Sequence, residues 1–318
     1  MSVWLLTDAA MDAHESPGHP ERPERRGAVA AGIRDAAADG LVEPDVQEVD
    51  DASLAAIHDP GYLQALAEAG DRGGGWLDPD TYIVPGSLRA ARLAAGATLQ
   101  AAIAAVSGEA EVAFAVVRPP GHHASGARGS GFCLLNNVAV AVAGLRTRGL
   151  AHRIAVVDWD VHHGDGTQAI FDADADLCYA STHQSPLYPG TGERAERGVG
   201  AAAGTKHNRP LAPGSGDDAF IEAWGADLLP AVEAFAPDAI LVSAGYDAHA
   251  ADPLASLRVT EDGYGRVARL LGELSSRLGL GGVALTLEGG YDLAALRASS
   301  AATVAGILVG RRAASGSR

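Results

Sequence analysis

Cysteine is nearly missing from this chain: among 318 residues only Cys133 and Cys178 carry thiols, far apart and in no CxxC pair. That excludes a disulfide-stapled scaffold and makes a reducing compartment, the cytoplasm, the expected location. Lysine is scarcer still. Lys206 stands alone in a chain rich in alanine and arginine, a skew attributed to coding bias rather than to function. No uninterrupted apolar run approaches the roughly 20 residues of a membrane span. The N-terminus offers only Val3-Trp4-Leu5-Leu6 before turning acidic at Asp8. Neither a membrane anchor nor a secretory leader is therefore expected. Positive charge is in deficit, with Lys+Arg 24 against Asp+Glu 40 and a net charge of −16. Such a balance excludes a general nucleic-acid-binding surface. It suits solubility and would attract cationic partners.

What is present is a core: 47% of residues are apolar. Continuous apolar runs predict strands over 3–7, 112–117, 154–157, 177–182, 239–243 and 283–287. Between them, helices are predicted over 24–39, 53–57, 61–69, 87–106, 136–148, 168–171, 217–235, 261–278 and 293–308. Apolar strands alternating with helices describe a parallel sheet covered on both faces. No linker or repeat divides the chain, so one domain over 1–309 is expected, followed by a short mobile tail over 310–318. Polar clusters follow successive strands, at 118–123, 158–165, 181–183, 245–252 and 288–291. In open parallel sheets ligands bind at the carboxyl ends of strands, so these five loops are expected to share one crevice.

The densest cluster is Asp158-Trp159-Asp160-Val161-His162-His163-Gly164-Asp165. Three carboxylates and two imidazoles beside a core strand need a cation to hold them. Alternation puts Asp158, Asp160 and His162 on one face. A catalytic zinc site wants three protein ligands and an open position. Asp247, just past a strand end and after Gly245, is the best third ligand. Turn or cap roles are the alternatives for all three. His163 reads as a packed neighbour. The adjacent His122 and His123 form a plausible proton-transfer pair, for which Asp158 and Asp165 could each supply an orienting carboxylate. A surface His pair is the alternative. Tyr291, after Gly289-Gly290, could donate to an oxyanion, or simply be packed. His14, His19, His58, His152, His207 and His249 read as structural or surface residues.

Seven segments in order together resemble the histone deacetylase superfamily, most closely its bacterial class II-like deacetylases and acetylpolyamine amidohydrolases. They are Gly18-His19-Pro20-Glu21-Arg22-Pro23-Glu24-Arg25, the Arg118 to His123 segment, Gly131-Phe132-Cys133-Leu134-Leu135-Asn136-Asn137, the Asp158 to Thr167 segment, Tyr188-Pro189-Gly190-Thr191-Gly192, Ser243 to Asp247 with Asp252-Pro253-Leu254, and Glu288 to Tyr291. The resemblance implies an arginase/deacetylase fold, α/β, with a mostly parallel eight-stranded sheet flanked by helices. It implies zinc (or Fe2+) on Asp160, His162 and Asp247, and proton transfer by His123 with His122 beside it. Asp158 and Asp165 would back the two imidazoles, and Tyr291 would polarise the carbonyl. It further implies a structural potassium ion at Asp158, Asp160, His162, Ser181 and Thr182. The substrate tunnel would be walled by Gly131, Phe132, Tyr188 and Leu254, with Tyr188 standing where the family usually has Phe. Arg25 matches an arginine of an inner channel, and Asp80 a rim aspartate. The implied activity is hydrolysis of a short acyl group from Nε-acyl-lysine. The alternatives are an acetylpolyamine or other small acyl-amine substrate, a two-metal ureohydrolase, and a catalytically silent zinc-stabilised module.

Overall fold

Every strand that the apolar runs predict is found, and all of them lie in one sheet. The computed structural model describes residues 2–37 and 40–315. Its strands are β1 (Val3–Leu6), β2 (Leu41–Val42), a small hairpin of β3 (Gly75–Trp76) and β4 (Tyr82–Ile83), β5 (Val112–Ala115), β6 (Ile154–Asp158), β7 (Leu177–Gln184), β8 (Lys206–Leu211), β9 (Ala239–Ala244) and β10 (Val283–Leu287). The helices are α1 (Glu24–Ala36), α2 (Asp51–Ala55), α3 (Pro60–Asp71), α4 (Ser87–Val106), α5 (Asn137–Thr147), α6 (Asp165–Phe171), α7 (Asp217–Glu222), α8 (Leu229–Phe235), α9 (Glu261–Arg277) and α10 (Leu293–Ser315).

The main sheet runs β2-β1-β5-β10-β9-β6-β7-β8, and each neighbouring pair is parallel. Parallel strands need crossovers, and the helices provide them on both faces. Alternate residues of one strand therefore enter different cores. Ala155 and Val157 of β6 join Val29, Leu271 and Ile307 of α1, α9 and α10. Ile154 and Val156 join Ala94 and Val138 of α4 and α5. The central strands are buried on both sides, which is why they read as unbroken apolar runs.

The sequence reading missed β8, whose Lys206-His207-Asn208-Arg209-Pro210-Leu211 is polar and contains a proline. It lies at the sheet edge, where both features are tolerated. The span 217–235 is one helical rod only in outline. A π-type segment, Ala223–Leu228, interrupts it, and Trp224 Nε1 there donates to Thr182 Oγ1 at 3.1 Å. Strand β7 continues to Gln184, so Ser181, Thr182 and His183 lie inside it rather than in a following loop. The final helix does not stop near 308. It continues through Ser315, because Val304, Ile307 and Leu308 pack against the core and nothing in the sequence breaks it. The expected tail over 310–318 thus begins as helix, and its residues 316–318 lie outside the described residues, as do Ala38 and Asp39 of the expected first helix. Helix α10 is long and apolar enough to cross a bilayer, yet half of its apolar stretch is buried, and it packs on α9 and α1.

Candidate active site

The carboxyl ends of β5, β6, β9 and β10 bring their loops to one point. Asp158 is the last residue of β6, and its neighbours across the sheet are Ser181 of β7 and Ser243 of β9. Asp160 and His162 follow it two and four residues on. Asp247 arrives three residues beyond β9.

Ligand atoms of Asp160, His162 and Asp247 all lie within 4.8 Å of one another. His162 Nδ1 is 3.1 Å from Asp160 Oδ1 and 3.2 Å from Asp247 Oδ2. Three donors held about 2.0–2.2 Å from one tetrahedral ion stand roughly 3.4 Å apart, so the trio has the spacing of a metal site. Two further observations favour an ion. Asp247 Oδ2 is buried without a hydrogen-bond partner, a costly state for a carboxylate oxygen. The remaining oxygens are tied to backbone: Gly289 N donates to Asp160 Oδ2 at 2.7 Å and Val161 N to Asp247 Oδ1 at 2.8 Å. The space around the trio is also cleared by glycines. A Cβ on Gly245 would sit 2.0 Å from Asp160 Oδ2, and one on Gly289 2.0 Å from Asp247 Oδ2. Burial and the Asp160 charge push the Asp247 carboxyl up. Burial pulls His162 down, but the neighbouring carboxylates of Asp160 and Asp247 outweigh it and raise the imidazole to about 10. That surplus of negative charge suits a divalent cation.

Beside the trio stand His122 and His123, with ring centroids 4.0 Å apart. His122 Nδ1 is 3.1 Å from Asp158 Oδ2, which also accepts from the Tyr179 hydroxyl at 2.9 Å. His123 Nδ1 is 2.7 Å from Asp165 Oδ1. The two imidazoles diverge electrically. Burial lowers both, but the Asp160 and Asp158 charges win at His122 and leave it well above the usual imidazole range. At His123 burial is reinforced by the positive charge of His122, and the opposing Asp165 leaves the ring at about 3. One ring is thus an imidazolium and its neighbour a neutral base.

A cavity of about 270 Å³ opens onto this cluster. His122, His123, Asp160 and His162 form its floor with Gly289 and Tyr291, while Gly131, Phe132, Leu187, Tyr188 and Leu254 wall it and Asp80 lies at its rim. Phe132 holds a left-handed φ of 68°, and Gly131 before it φ 55°, packed against the His123 ring. Such a conformation costs energy in a non-glycine residue and is kept where a side chain must be aimed. Tyr188 is 43% exposed and stacks edge-on to His123 at 5.1 Å. Tyr291 is buried, which keeps its phenol protonated. Arg25 lies 4.8 Å over the Tyr291 ring and donates to Gly290 O at 2.5 Å and to Glu288 O.

Ser181 and Thr182 do not reach the cavity. The Ser181 hydroxyl pairs with His183 at 3.0 Å and Thr182 accepts from Trp224, so their side chains are committed behind the site. Sequence reasoning also gave no role to Glu21, Asp252 or Glu288. Glu21 sits buried between Arg118 and Arg25. Asp252 accepts from the backbone of both Tyr291 and Leu254, at 2.7 and 2.9 Å. Glu288 holds the His122 loop by its amides. A buried acid without a periodic or paired neighbour leaves no signature in a single sequence.

The chain is matched by the family model described as "Histone deacetylase domain" over residues 19–307. A probable deacetylase from Archaeoglobus fulgidus is 42% identical over 88% of this chain and 78% of its own length. A histone deacetylase-like amidohydrolase from Pseudomonas aeruginosa is 37% identical over 76% of this chain and 64% of its own. Among solved structures, the crystal structure of the HDA15 HD domain superposes with a TM-score of 0.91 at 38% identity, covering 97% of this chain and 90% of that one. The eight-stranded parallel sheet is accordingly the arginase/deacetylase fold. With a family match across most of its length and relatives well above 30% identity, the chain belongs to the histone deacetylase family and is a hydrolase of amide bonds.

Proposed function

We propose that this enzyme is a zinc-dependent deacylase that removes acetyl or another short acyl group from Nε-acyl-lysine in a peptide or protein. The observation that carries the reading is the cavity: an apolar passage between Phe132 and Tyr188 ends on paired imidazoles, a phenol and a three-donor metal site. An aliphatic amine chain fits the walls, and its amide reaches the floor. Leu254, not an acid, follows Asp252-Pro253 at the wall. With Leu254 there in place of an acid, that wall gives no reward to a second cationic centre along the chain, which favours acyl-lysine over acetylpolyamine; the carboxylate of Asp80 lies out at the rim. The net charge of −16 pulls the other way, but screening weakens distant charge over roughly 8 Å at physiological salt.

Asp160, His162 and Asp247 would hold the metal. A divalent ion there supplies Lewis-acid polarisation of the carbonyl and lowers the pKa of an attacking water. The chain's own groups do the rest. Asp165 fixes the His123 tautomer by accepting a hydrogen bond from Nδ1–H, which leaves the Nε2 lone pair free to face the cavity. His123 is neutral at pH 7 and takes the proton of the attacking water at Nε2. Its positively charged neighbour His122 and the protonated Tyr291 stabilise negative charge as it grows on the carbonyl oxygen. The same His123 then returns its proton to the departing amine nitrogen, giving acetate and a free amine. A base near 3 is weaker than the near-neutral optimum, and Asp165 is the group that limits the fall.

Part of the same proposal is a structural potassium ion behind the metal loop, which Asp158, Asp160, His162, Ser181 and Thr182 would hold, several of them through backbone carbonyls. Two unpaired buried thiols, Cys133 and Cys178, favour cytoplasmic residence. The deciding experiment loads the protein with zinc or Fe2+ and measures turnover on an acetyl-lysine peptide, longer acyl-lysine peptides and acetylputrescine. Fastest turnover on acetylputrescine would replace the lysine reading with the polyamine one.

A further inference from the structure

The segment after β5 carries both cavity imidazoles; Val116 N still donates to Leu6 O of β1, but among the described residues no strand pairs with 119–123. Its backbone must find partners elsewhere, because Gly121 and His122 are buried. On the carbonyl side the loop is held by Thr167 N, which donates to His122 O at 3.0 Å, and by Asn137 Nδ2, which donates to Pro119 O at 3.1 Å. On the amide side one group does the holding. Glu288 Oε2 accepts from Gly121 N at 2.7 Å and from His122 N at 3.1 Å. Its other oxygen accepts from Ser243 Oγ at 3.0 Å. This carboxylate is wholly buried, and among the described residues its hydrogen-bond donors are those three. Burial drives the acid up to about 7. A carboxyl kept at that cost without an arginine or lysine partner calls for a purpose.

We propose that Glu288 is a positioning residue for the His122–His123 pair: from the end of β10 its carboxylate stands in for a missing strand, tying the Gly121 and His122 amides to β9 and β10, which carry the metal-site loop and Tyr291. The proposal rests on the reading of His123 as the proton-transfer group. It extends that reading by naming what fixes the imidazoles relative to the metal. The tie is short and direct. Gly289, the next residue, donates to Asp160, so the 288–289 peptide fastens the imidazole loop with one residue and a metal-site carboxylate with the other. A shift of about 1 Å between reacting groups costs on the order of 10²-fold in rate.

Two substitutions separate tie from charge. Glu288→Gln keeps the reach. Its amide oxygen can accept from both backbone N–H groups, and its NH2 can donate to Ser243 Oγ, which only has to turn its hydroxyl. Glu288→Asp keeps the charge but is one methylene too short to reach. Each is measured for kcat and KM on the best acyl-amine, for metal per chain, and for amide hydrogen exchange over residues 121–123. The expected result is that Glu288→Gln holds kcat within roughly fivefold, the worth of one net hydrogen bond. Glu288→Asp should lose about 10²-fold in kcat with KM and metal content close to wild type, and its Gly121 and His122 amides should exchange faster. Equal loss in both variants, a Gln variant worse than the Asp variant, or unchanged exchange in Glu288→Asp overturns the proposal. His123→Ala, run in the same assay, tests the underlying reading alone. If it keeps wild-type turnover, the proton-transfer role fails whatever the exchange data say, and the exchange data still decide whether Glu288 holds the loop.

Discussion

Replacing Gly289 by alanine should weaken metal binding at the proposed Asp160–His162–Asp247 site without disturbing the fold. The backbone there is not left-handed, so alanine is admitted conformationally. The added methyl would lie 2.0 Å from Asp247 Oδ2 and 2.6 Å from Asp160 Oδ2. Cβ contacts under 3.0 Å are essentially never found, so the Asp247 oxygen must retreat by about 1 Å. Metal–ligand distances tolerate only about ±0.2 Å. One of three ligands is then lost, and affinity should fall by at least about 10²-fold, close to 2.7 kcal/mol. Metal per chain after dialysis against a mild chelator, and the rise in melting temperature on adding zinc, report the loss directly. Gly27→Ala is the control. Gly27 lies in α1 with open space around its Cα, so alanine there should add roughly 0.5–1 kcal/mol of stability. Metal content should not change. A Gly289→Ala protein that binds zinc as tightly as wild type would show that Asp160 and Asp247 do not share an ion.

His123→Ala should lower kcat by about 10²–10⁴-fold with metal still bound; metal-loaded turnover near wild type would remove His123 from the reaction. Tyr291→Phe keeps the ring over which Arg25 lies but deletes the donor, so kcat should drop about 10²–10³-fold with little change in metal content. An unaltered kcat would return Tyr291 to a packing role. In metal-free protein His14, His58 and His183 should each lose their contribution to stability as pH drops below 6.5, because burial lowers His14 and His58 to about 4 and His183 to about 3, while Glu288 and Asp252, both raised to about 7, act in the opposite direction. These rings are neutral when folded and take up protons when unfolded, so their contribution is present above the unfolded value and lost as pH falls through 6.5 toward the folded values. Each is worth on the order of 3 kcal/mol across that window. The gap in denaturant midpoint between wild type and His58→Gln should narrow from pH 7.5 to pH 5, and a gap that does not change with pH would refute it.

The central strands were legible because burial on both faces leaves an unbroken apolar run, as in 154–157 and 283–287. Strand β8 was not, because an edge strand carries no such constraint and here contains Lys206 and Pro210. The π-type segment at Ala223–Leu228 was hidden for a related reason: its helical periodicity survives in sequence, and the widened turn shows only in the packed structure, where it lies against β7, β8 and α9. In the site, Asp160 and His162 could be nominated from their spacing in one loop. Asp247 could be named as the best third ligand from its place just past a strand end and after Gly245, with a helix cap as the alternative.

By itself, then, the chain determined its class, its layer order and the loops in which polar chemistry collects, since those follow from local periodicity and from polar residues massed at strand ends. Tertiary structure decided which groups meet. Residues from the ends of β6 and β9, more than eighty positions apart, come within 3.2 Å because β9 lies beside β6 in the sheet. The same order places Glu288 under the His122 amides, 166 positions away. Strand order is set by how two cores fill on opposite faces of the sheet, a property of the whole chain that no single segment encodes.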